Sequence, residues 1–248
     1  MLFRSNFTMS MKVVCWNIRG LKDARKLHRI KSFLSPLKAN IIVLTESHAN
    51  TKTTPLLEKT FLDYQVISTS CSTTPFQGVS ALISRDIEVS DILLDHEGRW
   101  LRLKAAKGTI AIRLCAVYAP AKIGCREVWF KNNLPLLTKN TDLLLGDFNC
   151  ILDPATDKFG GSIYKGRQGA SVLQKAIMEG GLVDIYHLNK VTTASNYTWI
   201  SGDRKTATRI DKAFIHNTKK SLVTHFATIS QPRISDHNPI CFALWEHH

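Results

Sequence analysis

No apolar stretch of the 248-residue chain approaches the roughly 20 residues that a membrane-spanning helix needs. Met1 to Ser10 also lack the long apolar core of a signal peptide. The expectation is a soluble, intracellular protein with no membrane partner. Cysteine is sparse and unpatterned: the 6 residues Cys15, Cys71, Cys115, Cys125, Cys150 and Cys241 show no CxxC spacing. That argues against a zinc site and a disulfide framework, and predicts reduced, small, buried hydrophobes. Acidic residues are in deficit, 20 Asp+Glu against 33 Lys+Arg, for a formal charge of +13. A chain that basic usually faces a polyanion, with nucleic acid the first candidate. Internal repeats, low-complexity tracts and linkers are missing too, so residues 11–246 are expected to form one domain behind a flexible polar lead-in over 1–10.

What the chain does have is organised around Thr141-Asp142-Leu143-Leu144-Leu145-Gly146-Asp147-Phe148-Asn149. The apolar run is too short for a helix and reads as a strand buried on both faces. On a still-extended backbone Asp147 and Asn149 share one face and Phe148 takes the other. A carboxylate beside a carboxamide can hold and deprotonate a water while donating to a developing oxyanion, as phosphoester hydrolysis requires. The same residues also read as a plain Asp-Phe-Asn turn after a buried strand.

Upstream, residues 11–16 read as a strand. Asp23 caps a helix whose apolar stripe is Leu27, Ile30, Phe33 and Leu34, and Pro36 stops it. A second buried strand over 41–44 delivers Glu46 at its exit, repeating the logic of Asp147. Short strands over 64–68, 79–84, 87–93, 100–104 and 109–118 have the pattern of an all-β layer. Helices are expected over about 126–137 and 170–179, with a loop over 152–169 that carries Lys158, Lys165 and Arg167. The alternation points to two packed sheets flanked by helices.

Polar groups collect at strand ends: Asn17, Glu46, Asp147, Asn149, Asp211, Asp236 and His237. A twisted two-sheet sandwich can bring such ends to one rim, where the carboxylates would repel and need a cation. Oxygen-rich donors without Cys or several His fit Mg2+, or Mn2+, rather than zinc. In order, Trp16-Asn17-Ile18-Arg19-Gly20, Leu44-Thr45-Glu46, Val117-Tyr118-Ala119-Pro120, Gly146-Asp147-Phe148-Asn149, Arg209-Ile210-Asp211 and Ser235-Asp236-His237-Asn238-Pro239-Ile240 resemble the motif set of the endonuclease/exonuclease/phosphatase superfamily. The resemblance runs over 12–244 and implies a four-layer α/β sandwich, two packed mixed or antiparallel β-sheets flanked by helices. Within that superfamily the chain is most similar to the apurinic/apyrimidinic-endonuclease-like domains of LINE-type (non-LTR) retrotransposons. Asn196-Tyr197-Thr198-Trp199, a short polar loop and Arg209-Ile210-Asp211 carry that narrower likeness.

The resemblance implies a divalent-metal-dependent nuclease that nicks one strand of double-stranded DNA, leaving a 3′-hydroxyl that primes reverse transcription. It further implies nuclear action, fusion to a reverse transcriptase in the full-length polyprotein, and an excised domain that is monomeric. Glu46 would be the principal metal ligand, with Asn17 beside it and Asp236 near the metal or a second one. Asp147 would orient or deprotonate the attacking water, and Asn149 would position water and phosphate. His237, held by Asp211, would bind a phosphate oxygen or act as general base, and Tyr118 would donate its hydroxyl to the scissile phosphate. Thr198 and Ser235 would contact DNA. Residues 199–209 read as a hairpin with a Gly-Asp turn whose Arg204, Lys205 and Arg209 meet phosphates, aided by the basic helix from Arg25 to Lys31. Arg19 stands where many repair-type relatives carry an acid; it removes one outer metal contact and offers a guanidinium to a DNA phosphate. The alternatives are a phosphatase or phosphodiesterase of the same superfamily acting on a small ester, and an AP-type repair endonuclease. A binding module that has lost catalysis is disfavoured, because every acid and the His of the motif set are present.

Overall fold

Runs such as Val13-Val14-Cys15-Trp16 and Leu143-Leu144-Leu145 have no polar face, so their strands must be covered on both sides. The computed structural model describes residues 10–21, 23–50, 52–69, 77–162, 166–188 and 196–246, and places these runs inside two six-stranded sheets. In chain order the strands are β1 (Ser10–Asn17), β2 (Ile41–Thr45), β3 (Tyr64–Ser68), β4 (Val79–Ser84), β5 (Glu88–Leu94), β6 (Trp100–Lys107), β7 (Ile110–Tyr118) and β8 (Leu143–Asp147). Then come β9 (Lys158–Phe159), β10 (Leu182–Asp184), β11 (Trp199–Ile200), β12 (Ala207–Thr208), β13 (Asp211–His216), β14 (Val223–Thr228) and β15 (Ile240–Trp245). The helices are α1 (Ala24–Leu34), α2 (Thr53–Thr60), α3 (Ile123–Thr138), α4 (Pro154–Asp157), α5 (Ala170–Glu179) and α6 (Ile185–Leu188).

One sheet runs β14-β15-β1-β2-β4-β3 and the other β10-β13-β8-β7-β6-β5. Each holds one parallel pair, β1 with β2 and β7 with β8. Parallel neighbours need a crossover, which α1 and α3 supply. Alternate residues of each strand point to opposite faces. Val13, Cys15, Ile41, Val43, Leu143 and Leu145 therefore pack between the sheets. Val14, Trp16, Ile42 and Leu44 face outward beneath Leu27, Ile30 and Leu34 of α1 and Leu57 of α2. Cys115, Val117 and Leu144 do the same beneath Phe130 and Leu134 of α3 and Leu173 of α5. The four layers are those of the expected α/β sandwich. Each fully buried Leu or Ile on α1 contributes about 1.5–3 kcal/mol, and the Asp23 cap, accepting from Lys26 N at 2.8 Å, about 1 kcal/mol.

Several expectations are corrected. The strands over 64–118 are not one layer, because β3 and β4 join the first sheet while β5, β6 and β7 join the second. The stretch 152–169 is not simply a loop: α4 lies in it, and β9 pairs with β12 to add a third strand to the β11–β12 hairpin. Helix α2 has no sequence counterpart in our reading, since Leu57 is its sole buried residue. Cys15, Cys115, Cys150 and Cys241 are buried as expected, but Cys125 is exposed at the start of α3. Cys71 and Lys165 lie outside the described residues, as does the lead-in except Ser10, which opens β1. No helix of the described residues is long and apolar enough to cross a membrane.

Candidate active site

Strand direction decides where the polar groups meet. β1 and β2 in one sheet and β7 and β8 in the other deliver their carboxyl ends to one rim, where Asn17 bonds Asp147, and β13 and β15, antiparallel to β8 and β1, begin there. Asn17, Glu46, Tyr118 and Asp147 thus arrive at strand exits, Asp211 and His237 at strand entries. Asp211 is the register partner of Asp147 across β13 and β8. Gly146 makes the approach possible: at φ +146° any Cβ would sit 1.9 Å from Val117 O.

Asp147, Asp211 and His237 form the buried floor, one potential ligand atom from each lying within 4.8 Å of the others. His237 Nδ1 is 2.7 Å from Asp211 Oδ2, and Trp16 Nε1 donates to the His237 carbonyl at 2.8 Å. Asn17 Nδ2 donates to Asp147 Oδ2 at 2.8 Å and to Glu46 Oε2 at 3.1 Å. The other Glu46 oxygen is 3.8 Å from His48 Nε2, and the Tyr118 hydroxyl faces this carboxylate. Arg19, Glu46, His48 and Asn149 all hold φ near +50° without being glycine. Such conformations cost about 1–3 kcal/mol each and gather at functional sites.

Electrostatics follow from this crowding. Burial, and then the Asp211 charge, push Asp147 up to about 7. Burial alone would lower His237, but Asp211, Asp147 and Asp236 outweigh it and raise the imidazole to about 9. Burial, with Glu46 and Asp147 facing it, holds the Tyr118 hydroxyl far above the usual phenol range. Burial opposes ionisation of Glu46 as well, yet the nearby His48 and the hydrogen bond from Asn17 hold its carboxyl below the usual range. Near neutral pH the rim therefore presents an imidazolium, a protonated phenol and an ionised glutamate. Asp211 Oδ1 is buried without a hydrogen-bond partner, and only a neutral amide separates Asp147 from Glu46. This oxygen-rich, under-compensated set fits a hard divalent cation.

The structure brings Asn17, Glu46, Tyr118, Asp147, Asp211 and His237 together, and departs from expectation elsewhere. Asn149 is not on an extended backbone: at φ +50° its N–H caps Asp147 Oδ1 at 2.8 Å and its Nδ2 donates to Ala119 O at 3.0 Å. Asn17 offers the acids its NH2 rather than its oxygen, which accepts from Arg19 N at 2.9 Å. Thr198 cannot touch DNA. It is fully buried, and its Oγ1 accepts the backbone N–H of Ile210 and Asp211 at 3.1 and 3.0 Å, fixing the entry of β13. Arg209 is likewise unavailable, being 2% exposed, paired with Asp157 at 2.7 Å and Asp184 at 2.8 Å, and stacked 4.3 Å over Tyr186. Asp236 turns to Arg19 and Trp199, each at 2.9 Å. Ser235, half-buried, donates to Asn17 O at 2.8 Å and accepts from His237 N. Only Arg204 and Lys205 of the hairpin's expected contacts stand exposed. His48 was missed; its signal was its place two residues after Glu46.

The family model described as Endonuclease/Exonuclease/phosphatase family matches residues 14–237. Among solved structures, the AP endonuclease LMAP from Leishmania major is similar at 14% identity and a TM-score of 0.79, covering 96% of this chain and 88% of that one. The 3′ phosphatase NExo from Neisseria, bound to product DNA hairpin, is similar at 20% identity and 0.74, covering 96% and 100%. The endonuclease domain of TRAS1, a telomere-specific non-LTR retrotransposon, is similar at 16% identity and 0.68, covering 95% and 98%.

Proposed function

The chain belongs to the endonuclease/exonuclease/phosphatase family, whose members are divalent-metal-dependent nucleases and phosphatases, and we propose that it is a DNA endonuclease. It nicks one strand of double-stranded DNA and leaves a 3′-hydroxyl that primes reverse transcription of a LINE-type element. The observation that carries this reading is the rooting of an exposed basic hairpin directly on the catalytic floor. Trp199 of β11 bridges to His237, Ile200 N donates to Asp236 O, and Thr198 holds Asp211. A cation-bearing arm fixed to the reacting residues suits a polymer substrate that must be gripped away from the scissile bond. The similar TRAS1 domain and the Asn196-to-Trp199 motif support the retrotransposon assignment. On the same reading residues 11–246 are one domain, monomeric when excised, fused to a reverse transcriptase in the full polyprotein and acting in the nucleus.

Glu46, with Asp147 across the Asn17 amide, would hold the divalent ion, Mg2+ or Mn2+, which supplies charge neutralisation at the phosphate and the leaving oxygen. The residues themselves do the rest. Asp147, once ionised, orients the attacking water and takes its proton. His237, kept as an imidazolium by Asp211, donates from Nε2 to a phosphate oxygen as negative charge builds. Tyr118, kept protonated, donates its hydroxyl to the same phosphate. Asn149 fixes Asp147 through its N–H rather than through its amide.

Two outcomes are expected. The nicking rate should rise as Asp147 loses its proton near pH 7 and fall as His237 loses its own near pH 9, a bell whose acid limb moves lower when a cation is bound. A rate still rising at about pH 10 would make neutral His237 a general base instead. Arg204→Ala with Lys205→Ala should reduce the slope of log affinity against log salt by about 2, at roughly 0.9 per phosphate contact, and shift the mapped nick positions. An unchanged slope and nick pattern would remove the hairpin from the DNA interface.

A further inference from the structure

Residues 229–239, which join β14 to β15, belong to no helix or strand, so their backbone polar groups need partners of another kind. Gln231, half-buried in this loop, supplies several. Its Nε2 donates to the carbonyls of Ser235 and His237 at 2.6 and 3.1 Å, and its Oε1 accepts the N–H of Ile234 and Ser235 at 2.6 and 3.4 Å. A side-chain amide has two N–H donors and two acceptor lone pairs, and all of them are used inside this one loop. The outer end of the loop is tied down as well: Arg29 Nη2 of α1 donates to Pro232 O at 2.7 Å, and Ile234 is buried in the core beneath α1. Trp16 Nε1 is the second donor to the His237 carbonyl, and Asn238 N donates to Thr198 O at 2.6 Å. The backbone of His237 is thus held by the hairpin on one side and by Gln231 on the other.

We propose that Gln231 is a positioning residue for His237. Its amide closes the loop into a ring that ends on the His237 carbonyl, and so sets the direction in which the imidazole leaves the backbone for Asp211 and the scissile phosphate. The single bond at Nδ1 to Asp211 leaves a ring free to swing about it; a fixed backbone removes that freedom. Displacement of such a donor by about 1 Å can cost about a hundredfold in rate. This rests on the nuclease reading for the phosphate, but not for the contacts that hold the ring.

Two variants of the full chain test it. Gln231→Ala removes the whole staple, whereas Gln231→Glu keeps its shape and its acceptors but turns an oxygen on the carbonyls of Ser235 and His237. Both should nick plasmid about ten- to a hundredfold more slowly at saturating DNA, with DNA affinity within about twofold of native. The nitrogen resonances of the His237 ring, assigned by their loss in His237→Ala, should be narrow in the native protein and broadened by motion in both variants. Leu57→Ala, which removes buried bulk beneath α2, is the control for general softening: it should lower the melting temperature yet leave the ring signals narrow and the rate native. Narrow signals in both Gln231 variants, or equal broadening in Leu57→Ala, would overturn the proposal whatever the rates. Broadening in the Gln231 variants of a native protein that nicks no DNA would instead sink the nuclease reading and leave Gln231 its hold on the ring.

Discussion

Nicking of supercoiled plasmid by the His237→Ala variant is expected to fall about a thousandfold or more, with the fold retained. The estimate joins two losses: a positioned proton donor, worth about a hundred- to ten-thousandfold, and a fixed positive charge on the developing oxyanion. Little else at the rim can replace the ring. Nδ1 is tied to Asp211 Oδ2 at 2.7 Å and the backbone is pinned by Trp16, so no neighbouring donor slides into its place. A stability signature accompanies the loss of rate. His237 is raised to about 9 from the ordinary imidazole value near 6.5, and a group raised on folding stabilises fully below its unfolded value and loses that contribution as pH climbs through the folded one. The native melting temperature should therefore decline up to about pH 9, and His237→Ala should lose the share of that decline carried by His237 while keeping the share carried by Asp147, whose carboxyl is raised as well. Activity within tenfold of native would strip His237 of its role; a decline of undiminished size in the variant would place the proton on another group.

The rim was legible because it follows from local pattern. Short apolar runs ending in Asp147 and Glu46 betray strand exits, and Asp211 and His237 precede apolar runs that return. Direction then does the work: each parallel pair, β1–β2 and β7–β8, puts its two exits on one edge of its sheet, and the Asn17–Asp147 bond joins the two edges. Side-chain facing was not legible. Arg209 sits in a motif beside Asp211, and a basic residue near a hairpin reads as a DNA contact. Its true partners, Asp157 and Asp184, are 52 and 25 residues away, and no local periodicity announces them. Lys212 hides in the same way within a strand that looks merely apolar. Thr198 was expected at the DNA backbone, but a small hydroxyl can serve two internal N–H groups as readily as a phosphate. The turn at Asn149 combines both readings of its stretch, since an Asx cap is what holds the Asp147 carboxylate in place.

Asp157→Ala should cost about 3–5 kcal/mol of folding stability, the penalty for leaving a buried charge without its partner. At roughly 2–4 °C per kcal/mol for a domain of this size, the melting temperature should drop by about 10 °C. Asp157 and Lys212 are fully buried and Arg209 is 2% exposed. The Asp157 carboxylate takes Lys212 Nζ at 2.6 Å, Arg209 Nε at 2.7 Å and Leu152 N at 3.0 Å. Arg209 keeps Asp184 when Asp157 is lost, but Lys212 keeps nothing comparable. Burial, and then repulsion from Arg209, already hold the Lys212 amine below its usual range. Without Asp157 it descends further, so the variant should recover stability as pH rises and Lys212 sheds its proton. Asp157→Leu combined with Lys212→Met leaves no orphan charge and should restore most of the loss. Recovery in the double variant with a deficit in the single one would show that the cluster specifies the β12–β13 connection, and with it the position of Asp211, more than it adds net stability. A single variant losing less than about 1 kcal/mol, the scale of an exposed ion pair, would mean that water reaches Lys212 and that the cluster does not anchor the floor of the site.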